Sequence, residues 1–367
     1  MDPAIFIPKR IFVERSARDL DLTRRLLERW PSVPRTPVGS AREAAAELSR
    51  EDDPVGAGKR CLLIAQQRGP FIKRCPGTSG YICCGYRIIN AANGCDLDCS
   101  YCILQGYLTN PLLTVYANTD DLLAQLDAFL SSGEDEFYRL GTGELTDSLS
   151  LDPAFGHARL LVPFFAGRRN AILELKTKTT RIEDLLKLEH GGRTVVSWSL
   201  NAEPVARREE HGAPPVIERL RAARRCEQAG YRIGFHFDPV IDVPGWEEGY
   251  RRTVDAIFEH VESRSIAWIS LGALRYPPAL EEIIRRRHPR SEIILGELFP
   301  GKDGKPRYFR PIRTRLFKTI HDRIRSHDRD VFVYLCMESD RVWRQALGWS
   351  PGSMAALSRR LDERVRP

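Results

Sequence analysis

The chain has 367 residues and 41.8 kDa, is 42% hydrophobic and 29% charged, and so reads as a soluble globular protein of one large or two ordinary domains, neither disordered nor fibrous. No apolar run approaches the ~18–20 residues of a membrane span, and the start, MDPAIFIPKRIFVERSARD, lacks the pattern of a secretory signal, so a cytoplasmic location is expected. The net charge is +7, and residues 281–330 concentrate it, with 14 Lys/Arg against 8 Asp/Glu.

Residues 1–85 read as a mixed α+β extension. A helical period covers 17–30, TPVGSAREAAAEL reads as a capped helix start, 51–60 is a loop by its Pro and Gly, and CLLIAQQ and FIKRC are short strands. From 86 to 290 the period alternates between two and 3.6. Strands are expected at 86–90, 137–144, 171–179, 194–201, 231–241 and 265–276. Helices follow in DDLLAQLDAFLSS, AFGHARLLVPFFAGR, RIEDLLKLEH, PPVIERLRAARRCEQAG, WEEGYRRTVDAIFEHV and PPALEEIIRRRH. Six β–α units of this length require parallel strands with right-handed crossovers, either an open α/β sheet or a partial barrel of the (β/α)6 TIM type. Ligands then bind at the carboxyl ends of the strands. The polar groups expected there are the cysteine loop, residues 142–144, Lys176 and Lys178, Ser199 and Asn201, His236 and Asp238, and Arg275. From 291 to 367 the pattern becomes an irregular basic extension, with a helix at 312–326, a strand in VFVYLCM and a short helix through Trp343.

Nine cysteines in a chain without an export signal suggest metal or redox chemistry before disulfides. NGCDLDCSYCILQ sets Cys95, Cys99 and Cys102 at C-x3-C-x2-C directly after the first barrel strand. Three thiolates on one short loop can hold three irons of a four-iron, four-sulfur cluster and leave the fourth iron open. A zinc site would prefer paired CxxC knuckles or added histidines, and no histidine lies near this loop.

This loop resembles the signature of the radical S-adenosylmethionine enzymes, and six β–α units match their partial barrel. A narrower resemblance covers most of the chain. CPGTSGYICCGYRIINAANGCDLDCSYCILQGYL, RLGTGELTDSLSLD, VSWSLNAE and AARRCEQAGYRIGFHFDPVI are similar to the spore photoproduct lyase family, and most to its branch outside spore formers. The resemblance implies a 4Fe-4S cluster on Cys95, Cys99 and Cys102, S-adenosylmethionine on the open iron, and a 5′-deoxyadenosyl radical that abstracts hydrogen from a substrate. It further implies that Glu144 receives the methionyl ammonium. Lys176 and Ser199 would meet the carboxylate and polar atoms, with Lys178 or Asn201 as alternatives for those roles. An electron donor such as flavodoxin or ferredoxin is implied as a partner, and DNA as the substrate.

Two departures stand out. The founding lyases return hydrogen to the product radical from a cysteine near the second barrel strand, where this chain reads LGTGELTDS, and no cysteine occurs between Cys102 and Cys226. Of the family's two relay tyrosines, Tyr101 fills the first position and Ile103 stands at the second. The expectation is cofactor cleavage with poor or no repair of the methylene-bridged thymine dimer and a different lesion or base as natural substrate, Cys84 being an outside candidate for a substitute hydrogen donor.

His236 and Asp238, two apart on one strand, face the same side and form either an acid/base or base-reading pair or a structural one. RRRHPR and KPRYFRPIRTRLFK interleave cations with aromatic rings, as surfaces that hold opened nucleic acid do. Arg307, Arg310, Arg313 and Arg315 are the expected phosphate contacts, a solvated helix face being the plainer alternative. Two other functions stay open: radical modification of a peptide or small molecule, and a non-catalytic iron–sulfur protein that binds nucleic acid.

Overall fold

The computed structural model of the protein describes residues 6–77, 80–133 and 135–366. β1 (Arg10–Glu14), β2 (Arg35–Val38) and β3 (Cys61–Ala65) pair in parallel in the order β2-β1-β3. β4 (Ile72–Arg74) and β5 (Arg87–Ile89) then form an antiparallel pair that begins a second sheet. The chain returns to the first sheet at β6 (Ala92–Asn93), enters the cysteine loop at β7 (Asp98–Cys99), and leaves it into β8 (Leu113–Tyr116), which lies between β3 and β6. The cysteine loop therefore departs from and rejoins the N-terminal sheet, a role for 113–116 that its short apolar run did not signal.

The six expected barrel strands form and lie side by side in sequence order. After β5 come β9 (Tyr138–Gly141), β10 (Ala171–Thr177), β11 (Thr194–Ser199), β13 (Arg232–Val240) and β14 (Ile266–Ala273), all parallel; between them β12 (Glu210–His211) pairs antiparallel with β7. A hairpin of β15 (Leu298–Pro300) and β16 (Pro306–Tyr308) follows, and β17 (Val333–Leu335) adds a further parallel strand at the edge of β14. The C-terminal region thus extends the barrel sheet as well as covering it.

Alternation along each strand separates two faces. Leu173, Leu175, Val196, Trp198, Phe235, Phe237, Ile269 and Leu271 are buried on the outer face, in the core that also takes in the helices. On the inner face, Ser197, His236 and Trp268 all reach Glu174 Oε1, at 2.6, 2.8 and 3.2 Å. β14 is three strand spacings from β10, about 14 Å on a flat sheet, so this convergence requires the sheet to curl into a partial barrel.

Two local expectations are corrected. RIEDLLKLEH is not a helix; a single 3-10 turn, Leu185–Lys187, stands there. Within it the Leu185 carbonyl finds a side-chain donor instead, the Tyr231 hydroxyl at 2.8 Å. The loop at 51–60 contains a short helix, Pro54–Gly58, whose Gly56 N–H is capped by Asp53 at 2.9 Å.

Candidate active site

The cysteine loop is clamped from three directions. Lys59 Nζ donates to the carbonyls of Cys95 and Leu97 at 2.9 and 2.6 Å, and Gln105 Nε2 to that of Cys99 at 3.0 Å. Arg287 forks onto both oxygens of Asp98 at 2.9 and 3.0 Å. Pairing of β7 with β12 brings Ser100 onto Glu209, at 2.5 Å between side chains, and the Tyr101 hydroxyl onto Glu210. Glu210 is also paired with buried Arg219 at 2.6 Å. Tyr101 is therefore a buried phenol that donates to a carboxylate, and burial with Glu210 beside it keeps its pKa far above the usual value.

Burial pushes the Cys99 thiol up to about 12 and raises Cys95 well above an ordinary thiol, while Lys178 and Lys59 pull the other way. Metal ligation deprotonates such thiols outright. Among the described residues no three His, Cys, Asp or Glu side chains converge as a mononuclear site requires. The triad, with the cations Lys59 and Lys178 in electrostatic reach, fits an anionic cluster whose irons each take one thiolate.

The segment at 142–144 reaches the same place. Gly94 N–H donates to Leu145 O at 2.8 Å, joining the start of the cysteine loop to the residue after Glu144. Gly143 is required here, since a Cβ would lie 2.6 Å from that of Lys176. Asp147 accepts from the backbone N–H groups of Leu149, Ser150 and Lys178 and from Thr177 Oγ1, all within 2.9 Å, which fixes the turn against the end of β10. Lys176 Nζ and Glu144 Oε2 then form an ion pair at 2.7 Å, with 24% and 32% of their side chains exposed. Burial would lower the lysine's pKa, but Glu144 and Glu174 raise it.

Deeper in the barrel, Glu174 accepts from Ser197, His236 and Trp268. Burial would raise its pKa, yet His236 and its hydrogen bonds bring it to about 2. His236 also meets Ser270 at 3.2 Å. Nearer the mouth, Asp238 takes a two-pronged bond from Arg275, 3.1 Å on each oxygen. Gly272 makes room for it, as a Cβ would lie 2.7 Å from the carboxyl. Burial would raise the pKa of Asp238, but Arg275 and Lys176 hold it low.

Glu144 and Lys176 are thus in direct contact, and Ser199 shares the inner face with Ser197 one step nearer the mouth. His236 and Asp238 both face inward but are bonded to different partners rather than to each other. Asn201 does not line the mouth. Its amide donates to Pro239 O at 3.0 Å and its oxygen accepts from the Tyr250 hydroxyl, so it ties strand ends together. Glu174 was missed, although its spacing of two from Lys176 was the available signal.

Two of the four expected phosphate contacts are internal. Arg307 is 4% exposed, pairs with Asp303 at 2.7 Å and lies over the Tyr81 ring; Arg313, 8% exposed, forks onto Glu338 at 2.6 and 3.2 Å. Sequence spacing could not show that both point into the protein. Arg310 and Arg315 are exposed, Arg315 over Trp246. The β15–β16 hairpin is docked on the strand ends, through a bridge of Arg307 to Arg275 and a bond from Asp242 N–H to Tyr308 Oη at 3.1 Å. It carries Phe299 and Phe309, 49% and 54% exposed with ring centroids 5.6 Å apart.

A family model described as "Spore photoproduct lyase" matches residues 6–310. The spore photoproduct lyase of Geobacillus sp. (strain Y412MC61) is 25% identical over 302 residues, 80% of this chain and 86% of that protein. That of Bacillus subtilis (strain 168) is 28% identical over 213 residues, 56% and 61% of the two chains. A solved spore photoproduct lyase complexed with dinucleoside spore photoproduct superposes with a TM-score of 0.81 at 23% identity, covering 90% of this chain and all of that one. A solved spore photoproduct lyase double mutant with bound AdoMet and dinucleoside spore photoproduct gives 0.79 at 23% identity, with the same coverage. These structures share the curled, mostly parallel sheet described above.

Proposed function

Because the chain belongs to the spore photoproduct lyase family, we propose that it is a radical S-adenosylmethionine enzyme acting on a thymine-derived lesion in DNA, of the branch that lacks the family's donor cysteine. The observation that carries this reading is the half-exposed Glu144–Lys176 pair beside the clamped cysteine triad. An amino acid headgroup is a zwitterion. Its ammonium suits Glu144 and its carboxylate suits Lys176, so it can replace an internal ion pair with two external ones. Cys95, Cys99 and Cys102 would hold the cluster and Ser199 would line the same mouth. When bound, cluster and S-adenosylmethionine supply one-electron, hydrogen-abstracting chemistry. Its reductant would be a small one-electron carrier of the flavodoxin or ferredoxin class, and a cytoplasmic location goes with that partner. Among the described residues no helix is long and apolar enough to cross a membrane.

DNA would meet the hairpin rather than Arg307 and Arg313. Two exposed phenylalanines at the mouth, with Lys302 and Arg310 exposed beside them, offer stacking faces and phosphate partners together.

The test is anaerobic reconstitution with iron and sulfide, reduction, and incubation with S-adenosylmethionine and ultraviolet-irradiated DNA. The expected result is 5′-deoxyadenosine together with loss of a thymine lesion in the mass spectrum of the digest. Alanine at Cys95, Cys99 or Cys102 should remove most of the iron and all of the cleavage. Cofactor cleavage with no change in the DNA would overturn the substrate and favour a peptide or small molecule. A triple-alanine variant that kept a four-iron spectrum would overturn the ligand set.

A further inference from the structure

One cation of the RRRHPR run is turned inward. Arg285, Arg286 and Arg290 are exposed, whereas only 5% of the Arg287 side chain is. Arg287 ends the helix Ala279–Arg287, and each nitrogen of its guanidinium is bonded to a residue from another segment. Nε donates to both oxygens of Asp53, 3.0 Å each. Nη1 and Nη2 fork onto Asp98 at 2.9 and 3.0 Å, and Nη1 also donates to Gln105 Oε1.

Three routes run from this one group to the cysteine loop. Asp98 directly precedes Cys99. Gln105 has its oxygen held by a group that can only donate, so its amide nitrogen turns the other way. That nitrogen donates to the carbonyls of Cys99 and Ser100 at 3.0 and 3.4 Å. Asp53 caps the short helix Pro54–Gly58, and Lys59, the residue after that helix, donates to the carbonyls of Cys95 and Leu97. None of these bonds involves a thiol, so all of them act on the backbone that carries the thiols.

We propose that Arg287 is a positioning residue for the cluster, fixing the backbone around Cys95 and Cys99 before iron arrives. The assignment rests on the reading above, that these cysteines hold a cluster. Ordering a mobile loop costs conformational entropy. Where the fold has already ordered it, metal binding does not bear that cost, and a preformed triad keeps its iron longer. The shape of the group matters as much as its charge. A guanidinium can fork onto Asp98 while it reaches Asp53 and Gln105, whereas a lysine ammonium is a compact point charge that cannot span all three.

The experiment compares wild type with three variants. Arg287→Lys keeps the charge, Arg287→Met removes it, and Gln105→Leu cuts one route while leaving Arg287 on both aspartates. In iron-free protein, alkylation of each cysteine is followed by peptide mass spectrometry. Both Arg287 variants should speed alkylation of Cys95 and Cys99 about tenfold, and Gln105→Leu should speed Cys99 severalfold and leave Cys95 as it was. Cys226, buried in the helix Val216–Gln228, should keep its rate throughout. Acceleration of Cys226 to the same degree would mean general loosening and overturn the assignment, as would unchanged rates at Cys95 and Cys99. Arg287→Lys behaving as wild type would assign the effect to charge alone and overturn it too. Should Arg287→Met not fold, the other two variants carry the same test. After anaerobic reconstitution, iron release to a chelator should be about tenfold faster from both Arg287 variants than from wild type. A wild-type cluster with equal release from the variants overturns the role of Arg287 alone. Failure of wild type to take up a cluster overturns the reading of the triad and the proposal with it.

Discussion

The floor and the mouth of the barrel are built from the same strands, two residues apart, yet they hold charge in different ways. At the floor, Glu174 and His236 are almost fully buried and Glu174 accepts three hydrogen bonds from three strands. At the mouth, Lys176 pairs with Glu144 and Asp238 with Arg275, with solvent within reach. A buried, fully bonded carboxylate is costly to disturb because each partner it loses becomes an unsatisfied buried group. A half-exposed pair exchanges partners cheaply, because water and ligand can replace either member. The difference in depth thus separates residues that hold the sheet curled from residues available to a ligand.

Breaking the floor should have the largest effect. Glu174→Ala leaves His236, Ser197 and Trp268 facing an empty acceptor and should cost about 3–5 kcal/mol, read as a lower denaturant midpoint. A midpoint within error of wild type would show that the curl of the sheet does not depend on this carboxylate.

Acid sharpens the comparison. The Glu174 pKa lies near 2 in the folded protein against 4.5 for an ordinary glutamate. A depressed carboxylate stabilises the fold above the unfolded value and loses that contribution as pH falls through the folded one. The wild-type advantage over Glu174→Gln, roughly 3 kcal/mol at pH 6, should therefore shrink between pH 4.5 and 2. Melting temperatures of the two proteins across that range test this, and parallel curves would contradict it.

At the mouth, Glu144→Gln should weaken S-adenosylmethionine binding ten- to a hundredfold, about 1.4–2.7 kcal/mol. The melting temperature should move by no more than about 2 °C. Anaerobic titration calorimetry beside a thermal scan separates the outcomes, and a large loss of stability would assign Glu144 to the scaffold.

The smallest effects belong to the outer arginines. Removing Arg310 and Arg315 should flatten the salt dependence of DNA binding by about one unit of slope for each phosphate no longer neutralised, with stability unchanged. Arg313→Ala should instead destabilise the protein, since Glu338 would be left buried and unpaired. The reverse pattern would return the phosphate-binding role to the buried arginines.

Much of this was legible in the primary structure because it depends on local rules. Alternation of period between two and 3.6 marked six parallel strands, and the C-x3-C-x2-C spacing marked a cysteine loop at the end of the first. The same alternation placed Lys176, Ser199, His236 and Asp238 at strand ends and put His236 and Asp238 on one side of their strand. What it could not determine was partnership, because partners come from segments far apart in the chain. Glu174 joins β10 to β11, β13 and β14, Arg313 turns inward to Glu338 across 25 residues, and Cys75 meets Glu144 across 69. The helix expected in RIEDLLKLEH failed for the same reason, as distant Tyr231 bonds to the Leu185 carbonyl of that stretch. Side-chain periodicity is a property of a few neighbouring residues, whereas the curl of the sheet, which selects the groups that meet across its concave face, exists only once all its strands are paired.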